Sequence, residues 1–224
     1  MNASYEILRS ILSGYMKVFA VTRRVTGDFP LPEGPKIIAA NHAYATDAFH
    51  LSFLLREHLH FVMQKSFFAN PLFAWIFSKA GQIKVDGENR GQTFKQACEI
   101  LERGETVVIF PEGKLVSPGE RVCARTGAIR MALATGAPII PLGMYTLPQN
   151  VTNVSLRWHA RPRSGTWQVR GECNLKFGTP WKPEPSNIHT LTDELMNRVY
   201  SLVNEIRKEN PCASPTLPNP ILQW

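Results

Sequence analysis

Four short apolar runs, KIIAA (36–40), LHFVMQ (59–64), TVVIFP (106–111) and APIIPLGMY (137–145), alternate with stretches of helical spacing over 47–56, roughly 66–80, 93–104 and 126–136. The runs are almost continuously apolar instead of switching between apolar and polar, as in strands covered on both faces. A helix between each pair returns the chain so that successive strands point the same way. The alternation therefore predicts an α/β fold with a largely parallel sheet flanked by helices, the last two helices ending on Gly104 and Gly136.

Sheets of this kind bind ligands at the carboxyl ends of their strands. His42 follows the first run, Lys65 the second and Glu112 the third, so three polar features are expected on one edge. His42 and Asp47 are five residues apart, which on a regular helix would set their side chains about 140° apart. They can meet if His42 lies on the loop leaving a strand and Asp47 lies in the first turn of the next helix, with Thr46 as its capping residue. A carboxylate on one imidazole nitrogen fixes the tautomer and leaves the other nitrogen to take a proton from an alcohol. No seryl nucleophile is then required, and the chain has no GxSxG elbow. The EGK sequence (112–114) is not a phosphate loop, because Val108 and Leu115 stand where glycine and Ser or Thr would be needed. His50 is expected simply to occupy a helix face.

At 224 residues and 44% apolar content, one α/β domain with elaborations accounts for most of the chain. The expected organisation is an N-terminal amphipathic helix (1–26), a main domain (27–210) and a Pro-rich tail (211–224). Leu8, Leu12, Tyr15 and Phe19 form the apolar stripe of the first helix. That helix either packs on its own domain or lies at a membrane interface, and the basic VTRR behind it favours anionic lipid. The longest apolar stretches, 5–21 and 66–81, are too short or are interrupted by Arg9, Lys17, Asn70 and Pro71, so no transmembrane span is expected. Nor does the N-terminus read as a secretion signal. The four cysteines show neither CxxC nor metal-ligand spacing and read as free thiols in a reducing compartment. Residues 153–167 and 171–183 look like strands joined by a basic loop, and 190–210 like a helix opened by a Thr190–Asp193 capping box.

The net charge of +7 implies an anionic partner: nucleic acid, an acidic cofactor or an anionic membrane surface. Residues 151–180 concentrate Arg157, Arg161, Arg163, Arg170 and Lys176 around Trp158 and Trp167, with Glu172 as the only acid. No nucleic-acid module accompanies them, so no nucleic-acid partner is expected; a lipid headgroup or the phosphates of coenzyme A explain this face more economically.

Over residues 35 to 145 the chain resembles the glycerolipid acyltransferase family, the PlsC-like enzymes. The resemblance rests on Asn41, His42 and Asp47, on GQIKVDGENRG (81–91), on FPEGKLVSPGER (110–121) and on APIIPLGMY, in the family's order. It implies an O-acyltransferase that moves a fatty acyl group from acyl-CoA or acyl carrier protein to a lysolipid hydroxyl, with no metal or bound organic cofactor. It also implies peripheral attachment at the cytoplasmic face of a membrane. His42 would be the base and Asp47 its orienter. Glu112 would bind the acceptor hydroxyl or headgroup while Gly113 permits a tight turn, and Lys65 would contact phosphate or the donor's acidic carrier. Helix N-termini or the Gly113 turn would supply donors to the oxyanion. Two arginines usual in the family are missing: Gly87 stands at one place, and Lys114 and Leu115 replace Thr-Arg at the other. Arg90, Lys114 or Arg121 would have to substitute in gripping a phosphate, which an arginine fork does differently from a lysine. A lyso-amino-acid lipid or a glycolipid is therefore a competing acceptor, and a non-catalytic lipid-binding protein of the same fold a competing role.

Overall fold

A computed structural model describes residues 3–55, 57–158 and 161–211. The chain begins with α1 (Ala3–Val18), β1 (Val21–Gly27), β2 (Lys36–Ala40), α2 (Asp47–Leu54), β3 (Leu59–Gln64) and α3 (Pro71–Lys79). There follow β4 (Ile83–Val85), α4 (Arg90–Glu102), β5 (Thr106–Ile109), α5 (Gly127–Thr135) and β6 (Ile139–Thr146). A hairpin of β7 (Val151–Trp158) and β8 (Arg161–Gln168), then β9 (Gly171–Phe177) and α6 (Ile188–Glu209), complete it. Seven strands make one sheet in the order β1-β9-β6-β2-β5-β3-β4. The five strands from β6 to β4 run parallel; β9 is antiparallel to β6, and β1 runs parallel to β9.

Alternate side chains of the continuous apolar runs serve two cores, because successive strand residues point to opposite faces. Ile37, Ala39, Val107 and Ile139 pack beneath Ile100, Ile129, Leu195 and Val199 of the crossover and C-terminal helices. Ile38, Ala40, Val108 and Ile140 pack on the other face with Leu51, Leu175 and Phe177. Each fully buried Ile or Leu side chain contributes about 1.5–3 kcal/mol, so the central strands dominate the stability. On β6, a Cβ at Gly143 would lie 2.7 Å from Leu202 Cβ and 2.8 Å from the Val203 backbone nitrogen. The missing side chain lets the α6 backbone come down onto the sheet.

Several local expectations change. The helix foreseen over 66–80 divides into a 3-10 turn (Lys65–Phe68) and α3, because Asn70 caps a new start by accepting from the Leu72 and Phe73 amides ahead of Pro71. The last helix starts two residues earlier than expected, capped by Asn187 and not by a Thr190–Asp193 box. VTRRVTG, read as the end of the first helix and a basic flank, is an edge strand on β9. The segment 153–167 is two strands of a separate hairpin, while β9 joins the main sheet. The Pro-rich tail from 212 onward lies outside the described residues, as do His159 and the side chains of Arg157, Trp158, Arg161 and Arg163.

Candidate active site

Four of the parallel strands deliver a polar residue to the same edge, in the spatial order Asp86 after β4, Lys65 after β3, Glu112 after β5 and His42 after β2. Asn41 fastens the end of β2 to β6: its amide donates to the Met144 carbonyl at 3.0 Å and its carbonyl accepts from the Met144 N–H at 2.8 Å. His42, next in the chain, is held on three sides. Its N–H donates to Glu112 Oε2 at 2.7 Å, its carbonyl accepts from Val116 N at 2.8 Å, and its ring stacks on Phe110 at 4.1 Å.

Asp47 is the first residue of α2 and is 2% exposed. Its Oδ2 accepts from Tyr44 N at 2.9 Å and lies 3.1 Å from His42 Nδ1. The loop-then-helix path thus brings together two side chains that five residues of continuous helix would separate. A carboxylate only accepts, so the imidazole proton sits on Nδ1 and Nε2 carries the free lone pair. The His42 side chain is 21% exposed, and Nε2 has no partner among the described residues. Thr46, expected as the helix cap, makes no capping bond; its hydroxyl accepts from Gln168 N of β8 at 3.2 Å, tying the hairpin to this corner.

Behind the pair, His50 is fully buried and shares Gln168 Oε1 with the Thr146 hydroxyl, at 2.8 Å and 3.1 Å. Burial pulls its pKa down to about 4, so it is neutral at physiological pH. The helix face it occupies is an internal one.

Glu112 is 5% exposed, and Tyr200 of α6 donates its hydroxyl to Oε1 at 2.7 Å. Each carboxylate oxygen therefore already has a donor from within the protein. Burial raises the Glu112 pKa, and the bonds from Tyr200 and His42 oppose that rise. Besides the acceptor contact implied by the resemblance, Glu112 has a bracing position between the His42 loop and α6. Gly113 turns with φ +67°, and a Cβ there would come 2.5 Å from Arg125 Nε. Its carbonyl accepts from Gln64 at 3.0 Å, bringing the end of β3 and the neighbouring Lys65 to the same turn.

The remaining expected site residues are less tightly placed. Lys65 Nζ pairs with Asp86 at 3.2 Å and with Glu88 at 3.7 Å, and the bond to Asp86 raises its pKa. Lys114 is exposed on the turn, and Arg90 is exposed at the start of α4. Arg121 is drawn toward α6, donating to Asn197 at 2.9 Å with its guanidinium 4.9 Å above the Tyr200 ring. Three residues escaped the sequence reading: Phe110 under the imidazole, Arg125 against Gly113, and Tyr200 on Glu112. Phe110 and Arg125 lie within or just beyond the FPEG segment and were open to inspection. Tyr200 lies 88 residues beyond Glu112 and carries no local signal.

The fold and this edge define an α/β protein with an imidazole–carboxylate pair at the carboxyl ends of a parallel sheet. The chain belongs to the acyltransferase family, whose model matches residues 22–145, and it is an acyltransferase. It is 26% identical over 196 residues to a 1-acyl-sn-glycerol-3-phosphate acyltransferase of Pseudomonas aeruginosa, covering 86% of this chain and 71% of that protein. The enzyme of that name from Limnanthes alba is 28% identical over 171 residues, covering 73% and 57% of the two chains. For the Escherichia coli enzyme of that name the figures are 27% over 122 residues, 53% and 50%, so this chain spans half of that relative's length. The crystal structure of the 1-acyl-sn-glycerophosphate acyltransferase PlsC from Thermotoga maritima superposes with a TM-score of 0.63 at 18% identity, over 96% of this chain and 86% of that one. That likeness shows a shared fold.

Proposed function

We propose that the enzyme transfers a fatty acyl group from an acyl thioester, acyl-CoA or acyl carrier protein, to the hydroxyl of a lysolipid, with His42 as general base. The observation carrying this reading is the unpaired Nε2 of an imidazole whose other nitrogen is held by buried Asp47, on the ligand-binding edge of the sheet. Nε2 takes the acceptor's hydroxyl proton as its oxygen attacks the thioester carbonyl. Collapse of the tetrahedral intermediate breaks the C–S bond, and the imidazolium returns the proton to the leaving sulfur. Asp47 keeps the tautomer and steadies the imidazolium. The family match and the names of the relatives support acyl transfer; no bound cofactor or metal takes part in the proposed steps.

Phosphate on the acceptor is favoured by the cations around the Gly113 turn, Lys65, Lys114 and Arg125, with Arg90 on the neighbouring helix. An acceptor without phosphate, a lyso-amino-acid lipid or a glycolipid, is favoured by Gly87 and Leu115 in place of arginines and by the pairing of Lys65 with Asp86.

The lipid surface is expected to be met by α1 and α3, which pack on each other. Tyr5 anchors α1, stacking on His58 at 4.1 Å and accepting from Leu59 N at 3.2 Å. The opposite side of α1 leaves Ile7, Ile11 and Val18 exposed, and Leu72 and Trp75 of α3 and Phe67 of the preceding turn are exposed as well. None of the described helices is long and apolar enough to cross a membrane. This face and the net charge of +7 support peripheral attachment to an anionic leaflet, at the cytoplasmic face of a membrane.

The deciding experiment follows thiol release from palmitoyl-CoA in detergent with lysophosphatidic acid, lysophosphatidylcholine, a lyso-ornithine lipid or no acceptor, each beside His42→Ala. Release that needs one acceptor and is lost in the variant is the expected result and names the acceptor class. If there is no release, the panel is repeated with acyl carrier protein as donor. Failure with both donors, or turnover indifferent to His42, would reject the reading.

A further inference from the structure

We infer that Tyr200, on the C-terminal helix, is a positioning residue for the reaction: its hydroxyl holds Glu112 so that Glu112 holds the backbone of His42. The inference rests on the proposed role of His42 as base. The chain of contacts is short and directional. Tyr200 donates to Glu112 Oε1 at 2.7 Å, and His42 N–H donates to Glu112 Oε2 at 2.7 Å. Glu112 stands alone on a turn after β5 and is 5% exposed, so little water reaches it to replace a lost donor.

The other restraints on His42 do not duplicate this one. Asp47 and Phe110 fix the ring, and Val116 engages the carbonyl, but Glu112 is the acceptor for the amide of the residue carrying the base. The Tyr200 ring is itself placed by Arg121 above it and by Asn197, which orients Arg121. Tyr200 and Glu112 also line one cavity with Asn41, Tyr44, Val116 and Tyr145, beside the His42 loop. Without the hydroxyl, the carboxylate gains freedom to turn into that space and release the His42 amide. A base displaced by even about 1 Å loses on the order of a hundredfold in rate, so a partial release is visible in turnover.

Tyr200→Phe removes the hydroxyl and keeps the ring. It is expected to lower kcat about tenfold while KM for the donor stays within about twofold, because Glu112, the group set free, is not among the residues expected to contact the donor. Amide exchange at His42 should quicken by a similar factor, a change that loss of helix packing alone would not produce. Adding Tyr200→Phe to Glu112→Ala should cost no more in kcat than Glu112→Ala alone, since both break one chain of contacts. Asn204→Ala, exposed on the same helix and outside this chain of contacts, serves as a control for general disturbance of α6. Unaltered kcat and His42 exchange in Tyr200→Phe, or losses that multiply in the double variant, would overturn the inference while leaving the role of His42 intact. Full activity of His42→Ala would instead remove the reading beneath it.

Discussion

The carboxyl edge of the sheet and the α1–α3 face are built in opposite ways. At the edge, Asn41, Asp47 and Glu112 are polar, buried and engaged by named partners at 2.7–3.1 Å. On the α1–α3 face, Ile7, Ile11, Leu72 and Trp75 are large, apolar and exposed. Satisfied buried polar groups fix positions, as the proposed general base requires. Exposed apolar groups fix nothing within the molecule, and a cluster of them points to a partner surface. The chain thus separates a part built to hold still from the part proposed to meet lipid.

Variants can test each side of that contrast. His42→Ala should lower turnover by about a thousandfold, with Asp47→Asn losing on the order of a hundredfold or more, and with KM little changed in either, as read by thiol release. Gly143→Val should strike the fold instead, forcing α6 off β6 and costing at least about 3 kcal/mol, which lowers the thermal midpoint by roughly 6–12 °C.

The buried edge also makes stability depend on pH. His50 is held near pKa 4 by burial, against 6.5 when free. Between these values the unfolded chain binds a proton that the native chain refuses, so stability falls as pH drops through that window, by up to roughly 3 kcal/mol. Urea midpoints taken across that window should show this slope, and His50→Gln should flatten it. The smallest effect on the fold belongs to the other face. Trp75→Glu should leave the unfolding free energy within about 0.5 kcal/mol, yet reduce sedimentation with anionic vesicles about tenfold. Vesicle binding unchanged by this substitution would erase the distinction between the two regions.

The contrast also accounts for what could be read in advance. Strands β2, β3, β5 and β6 were legible because they are apolar on both faces, a pattern that survives any tertiary context. The His42–Asp47 contact was legible because the strand-to-helix transition lies between the two residues. The strand β1 was not legible: VTRRVTG is polar and half-exposed, and only its pairing with a strand 150 residues later makes it extended. The hairpin of β7 and β8 was hidden for a similar reason, since the sequence between the two strands carries no Gly or Asn-Gly signal of the kind that marks a two-residue connection. At the site, His42, Asp47 and Glu112 were legible within their motifs and Tyr200 was not, because amphipathic spacing says which side of α6 is buried but not which carboxylate it meets. Thr46 was misassigned as a cap because a local preference lost to a partner on the distant hairpin.

The strand order has a consequence for how the chain comes together. β1 is paired only with β9, and β9 lies between β1 and β6, so residues 21–27 have no place in the sheet until residues 171–177 exist. During synthesis the five parallel strands can assemble first, with the His42–Asp47 turn already among them. The amphipathic first helix, tethered to an unplaced strand, would emerge long before its support is complete. Closure of this long-range pairing is slow compared with that of neighbouring strands. In that interval the apolar surface of α1 is available to a chaperone or to a bilayer, and the proposed membrane attachment would precede completion of the fold.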